Sequence, residues 1–260
     1  MPSDANTPID LVHQLRAHLE SLQAAGVLFV PWDTHAPLRV AANVGVQASA
    51  VAQVVEAPPP EDAFEVRLRE LTVLANEVAK CDKCSELFST RTQTVFGSGP
   101  LDAEVAFVGE APGAAEDAQG ELFVGKGGQL LGRIIAACGF THDHVYLFNI
   151  IKCRPPSNRA PTMTECGNCR DFFRRQFELV KPKYLVALGT TASRLLTGQN
   201  QPLAKLRGTV HTYREVPLVC THHPDDTEND KSGTRKRETW EDMKLLLRMM
   251  GKAIPEVKRS

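Results

Sequence analysis

The chain contains no run of about 18 apolar residues, so no part of it is expected to cross a bilayer as a helix. Its opening, MPSDANTPID, lacks the basic start and apolar middle of a secretory leader. Together these absences lead to an expected place in the cytoplasm, with no membrane partner. An excess of one charge is missing as well. Lys and Arg number 30 against 31 Asp and Glu, a net charge of −1, which excludes a protein that coats nucleic acid by bulk electrostatics. Any contact with phosphates has to come from a local basic surface. There is no G-x-x-x-x-G-K-[ST] phosphate loop and no internal repeat. Nor do the cysteines, seven in number and unevenly spaced, form the even set of a disulfide framework. An odd set suits a reducing compartment, where thiolates are free to take up metal.

What is present points to an α/β domain with appendages. Of the 260 residues, 42% are hydrophobic and 23% charged, an ordinary globular composition. Residues 9–25 place Leu11, Leu15, Leu19 and Leu22 at helical spacing. Residues 36–62 are rich in Ala, Val, Gln and Pro and end in EAPPPED, as a linker would. The expected division is therefore an accessory segment over 1–62 and the main α/β domain over 63–260. In the second part a helix over 64–80 precedes short apolar runs at 104–109, 145–150, 183–189 and 216–221. Helical patterns lie between those runs at 127–138, 169–180 and 190–198. Strands alternating with helices predict a parallel sheet covered on both faces, with ligands beyond the carboxyl ends of its strands. The segments that follow those ends are GEAPG, NIIKCRPPSNR, LGTTA and THHPDD.

Cys81 and Cys84 form a C-x-x-C, and a metal needs two further ligands from elsewhere. Cys153, Cys166 and Cys169 form the pool for these, while Cys138 on a helix face and Cys220 inside a strand read as core residues. Spacing alone leaves a zinc or iron–sulfur site and a set of inert thiols both open. The segment VGEAPGAAEDAQGELFVGKGG (108–128) ends a strand at Gly109 and then carries Glu110, Glu116 and Asp117. Three carboxylates at the mouth of a sheet repel phosphates. They suit a site that orients water or stabilises a cation, or Glu116 and Asp117 simply begin a helix.

GEAPGAAED with FVGKGG, then NIIKCRPPSNRAP, LRG (206–208) and HHP (222–224) resemble the iron–sulfur, or family-four, uracil-DNA glycosylases over about two-thirds of the chain. The resemblance implies a three-layer α/β/α sandwich around a four-stranded parallel sheet. It implies hydrolysis of the bond between deoxyribose and uracil in DNA, single- or double-stranded, by a monomer that first extracts the base. It implies a [4Fe–4S] cluster on Cys81, Cys84, Cys153 and Cys169, with Cys166 a bystander. By the same resemblance Gly109, Phe123 and Asn149 bind the substrate: Phe123 stacks on uracil and Asn149 reads its Watson–Crick edge. His223 stabilises charge on uracil O2 and Glu110 and Glu116 supply the carboxylate, while His222 faces away. Lys152, Arg154, Arg159 and Arg207 are the expected DNA contacts, and KSGTRKR (231–237) is either a further one or a solvated loop.

The match departs after His223. Relatives continue with small and apolar residues, whereas here HPDDTENDKSGTRKR is acidic and shows no apolar wedge. The alternative this raises is a DNA-binding module of the same fold, bearing a cluster or zinc, with little glycosylase turnover.

Overall fold

The computed structural model describes residues 62–255; the helix expected over 9–25, and all of the linker expected over 36–62 except Asp62, lie outside the described residues. Asp62 starts the fold as a cap: its carboxylate accepts from the Phe64 N–H at 3.0 Å and opens helix α1 (Ala63–Ala79). The chain then passes Cys81 and Cys84 into the short α2 (Ser85–Thr90).

Beyond it lie β1 (Val105–Gly109), α3 (Ala114–Gln119), α4 (Lys126–Ala137) and β2 (Val145–Asn149). Next come α5 (Met163–Val180), β3 (Tyr184–Leu188), α6 (Thr190–Thr197) and α7 (Leu203–Leu206). The hairpin β4 (Val210–Tyr213) and β5 (Val216–Thr221) leads to α8 (Pro224–Glu228) and α9 (Thr234–Met249). The sheet runs β2-β1-β3-β5-β4, parallel except for the antiparallel pairing of β4 with β5. Five strands therefore stand where four were expected, and β4 is the addition.

Alternation along the buried strands divides the core between two faces. Ala106, Val108, Phe148, Leu185 and Ala187 meet Phe173 and Phe177 of α5 on one side. Val105, Phe107, Val186 and Val219 meet Leu131 and Ile135 of α4 and Met243 and Leu246 of α9 on the other. Cys138 and Cys220 are buried in these two layers. Helix α5 begins six residues before the expected start, because Thr162 and Glu165 form a capping box there. No helix among the described residues is long and apolar enough to cross a membrane.

Candidate active site

The carboxyl ends of β1 and β2 stand side by side, with Gly109 in register with Asn149. The Ile150 N–H donates to Gly109 O at 2.9 Å and keeps the two exits together. A Cβ at residue 109 would collide with Asn149 Oδ1 and lie 3.1 Å from Phe123 Cζ, so only glycine lets this amide and this ring approach each other. Asn149 is 2% exposed, and its Oδ1 has no hydrogen-bond partner among the described residues. Phe123 is held at a φ of +54°, an uncommon backbone for a bulky residue and a form of strain that clusters at ligand sites.

The three carboxylates after β1 have different surroundings. Glu116 has both oxygens engaged: Oε2 accepts from the Gly113 N–H and Oε1 from the Gly125 N–H, each at 3.1 Å. It ties the turn after β1 to the Phe123 loop. Asp117 is buried and accepts from the N–H groups of Thr92 and, at 3.5 Å, Gln93. Glu110 alone of the three lines an open cleft, of about 550 Å³. Its Oε1 accepts from the Thr191 N–H at 2.7 Å, in the first turn of α6, where the backbone N–H groups favour negative charge.

The ends of β3 and β5 complete the cleft. Gly189, at φ +92°, passes so close to Glu110 that a Cβ there would collide with its Oε1 and stand 3.3 Å from His223 Cβ. His223 lines the cleft and caps α8, its Nδ1 accepting from the Asp225 N–H at 3.3 Å. His222 points elsewhere, to Glu238 at 2.6 Å. Asp225 and Asp226 line the cleft beside His223.

The cysteines divide by place. Cys81, Cys84, Cys153 and Cys169 line one small cavity between α2, the loop after β2 and α5. Cys166 is not part of that lining and packs in the core. Arg91 donates to Cys153 Sγ at 3.1 Å and the Asn168 amide to Cys84 Sγ at 3.4 Å. Burial pushes the Cys169 thiol up to about 11, an effect opposed by Lys152. Burial raises Cys153 too, against the pull of Arg91. Among the described residues no three His, Cys, Asp or Glu side chains are placed to hold a single ion.

Residues 96–244 match the family model of the uracil DNA glycosylase superfamily. The chain belongs to that superfamily. It is 37% identical over 175 residues to a Type-4 uracil-DNA glycosylase of Thermotoga maritima, covering 66% of this chain and 91% of the relative. A Type-4 uracil-DNA glycosylase of Archaeoglobus fulgidus is 36% identical over 165 residues, 60% of this chain and 82% of its own length. The similarity extends to a Type-5 uracil-DNA glycosylase of Pyrobaculum aerophilum, 31% identical over 182 residues, which are 57% of this chain and 80% of that one.

The basic residues of this superfamily member are mostly committed to partners of its own. Lys152, expected on DNA, is 1% exposed; it donates to Asn149 O at 2.9 Å and to Gln176 Oε1 at 2.5 Å. An ammonium in that position cannot reach a phosphate, and burial draws its pKa down to about 7. Arg159 bridges Glu86 at 2.8 Å and Glu165 at 2.7 Å, and Arg207 meets Asp242 at 2.9 Å and Glu238 at 3.2 Å. In 231–237, Arg235 and Lys236 face Asp226 and Glu228 of α8 at 3.9 and 3.8 Å. The basic and acidic stretches after His223 thus offset each other. Of the four expected DNA contacts Arg154 is the exception: among the described residues only its Nε is engaged, by Asn158 Oδ1 at 2.7 Å. The Thr191 N–H on Glu110 and the Asp225 N–H on His223 went unread in the sequence, since backbone donors leave no residue-type signal.

Proposed function

We propose that this protein hydrolyses the N-glycosidic bond of uracil in DNA, single- or double-stranded, and leaves an abasic site that starts base excision repair. The observation that carries the reading is the unpartnered Oδ1 of Asn149, buried beside Gly109 and Phe123. An amide oxygen without a partner costs about 1–3 kcal/mol, which a donor on the ligand recovers. Uracil N3–H is such a donor, and the amide NH₂ of Asn149 then donates to O4. Cytosine has no proton at N3, so it leaves the oxygen unpaired. Phe123 supplies the stacking face. The Type-4 names of the relatives support the same substrate.

As the N1–C1′ bond breaks, its electron pair passes into the uracil ring and onto O2. His223 accepts at Nδ1 from a backbone N–H, which leaves its proton on Nε2 to donate to that oxygen. The sugar gains positive charge, which Glu110 stabilises through the oxygen that Thr191 leaves free. Water adds to C1′ and gives up a proton to the carboxylate. Glu116 acts indirectly, by holding the Phe123 loop.

Cys81, Cys84, Cys153 and Cys169 are the proposed holders of a [4Fe–4S] cluster. The donor set fits, because four thiols surround one cavity and Arg91 and Asn168 donate to sulfur. Sulfurs spread around a cavity suit a multi-iron cube better than a single zinc. When bound, the cluster supplies a structural tie. The rest of the reading is a monomer working in the cytoplasm, with residues 1–62 an accessory segment.

The test is excision from uracil-containing oligonucleotides, single- and double-stranded, with thymine controls. Abasic product from at least one of them is expected; none from either would end the enzyme reading. That outcome would favour the DNA-binding module without turnover, to which Asp225 and Asp226 at the mouth lend weight. For the cofactor, brown protein with ~4 irons per chain is expected. Colourless protein with one zinc would refute it.

A further inference from the structure

We propose, resting on the glycosylase reading, that a groove opening from the cleft holds the nucleotide next to the flipped uridine on the same strand. Met163 lies against its base and Arg194 meets its phosphate.

The groove, of about 590 Å³, runs between the start of α5 and the end of α6. Pro161, Thr191 and Arg194 line both it and the cleft, so the two adjoin. Met163 is 71% exposed, the highest value among the exposed large hydrophobic side chains of the described residues. A solvent-exposed thioether in the first turn of a helix has no packing to do there, whereas an unbranched, polarizable side chain makes favourable contact with an aromatic face. A nucleobase supplies such a face, and stacking of this kind tolerates any base.

Arg194 is exposed, and its Nε is fixed on Gln201 O at 2.9 Å. Its terminal nitrogens meet no carboxylate among the described residues, in contrast to Arg159 and Arg207. A guanidinium held at one nitrogen and open at the others is suited to a phosphate. The cleft also carries Asp225 and Asp226, whose side chains are 66% and 64% exposed. Asp226 is balanced by Arg235, but Asp225 has no Lys or Arg partner among the described residues, so its charge disfavours a phosphate beside it and directs the strand toward Arg194. Met163 thereby supplies the exposed apolar contact that the acidic segment after His223 lacks.

The experiment uses the full chain and short single-stranded oligonucleotides with uracil at the 5′ end, inside, or at the 3′ end. One added nucleotide on one side of uracil is expected to lower KM about tenfold. Met163→Ala removes that gain and Met163→Leu keeps it. Arg194→Gln is expected to reduce the slope of log KM against log salt by ~0.7, the loss of one single-strand phosphate contact. A gain that persists in Met163→Ala, or no gain from a nucleotide on either side, overturns the inference. Failure of the unmodified protein to release uracil from any oligonucleotide would instead overturn the glycosylase reading on which it rests.

Discussion

At the scale of single residues the chemistry depends on how few groups remain free. Asn149 offers an unpartnered oxygen, and Asn149→Asp is expected to lower uracil excision by ~10²–10³, because an ionised carboxylate cannot donate to O4. Single-turnover rates on a uracil oligonucleotide measure it. The carboxylates should separate in the same assay. Glu110→Gln is expected to cost ~10²–10⁴, as loss of a general base or of charge stabilisation does. Glu116→Gln keeps an acceptor for one of its two N–H partners and should cost about tenfold or less. Near-equal losses would mean that both act on the sugar. The candidate carboxylates were legible as residues, but their division was not: it lies in which backbone N–H groups reach which oxygen.

At the scale of elements, Thr162 and Glu165 start α5, and Arg159 adds an ion pair to the same carboxylate. Hydrogen bonds from Arg159 hold the Glu165 carboxyl down at about 2. A depressed folded-state pKa gives stability that is fully present above the ordinary value near 4.3 and lost as pH falls toward 2. The melting temperature should therefore fall through that window more steeply in the unmodified protein than in Glu165→Gln. At neutral pH that variant should be less stable by about 1–2 kcal/mol, checked by urea unfolding. The T-x-x-E spacing was a readable start signal for this helix. The hairpin of β4 was harder to read, since Arg214 and Glu215 make its turn at φ +45° and +69° without the Asn-Gly that usually marks one. Likewise α8 is hidden in the acidic run, although Pro224 in its first turn and the two aspartates after it agree with a helix start.

At the scale of the whole molecule, the cysteine cavity joins segments some 70 residues apart, next to the loop that carries Asn149 at its start. Lys152 lies between them, buried, with its ammonium on the Asn149 carbonyl. Cys153→Ala is expected to lose iron and lower the melting temperature by ~5–10 °C, because whatever binds only the folded chain stabilises it. Cys166→Ala should keep its iron. Iron content and thermal melts measure both, and loss of iron in Cys166→Ala would redraw the ligand set.

The sequence by itself determined the parallel α/β core, through four apolar runs separated by helical periodicities, and the placement of polar, glycine-bearing turns after each run. Local patterning carries that information because burial repeats every two residues in strands and about every 3.6 in helices. Only the tertiary structure decided which charges are free. Lys152, Arg159 and Arg207 look alike to Arg154 and Arg194 in one dimension. Partners from other segments, Gln176 for Lys152, Glu86 for Arg159 and Asp242 for Arg207, bury the lysine and pair the two arginines.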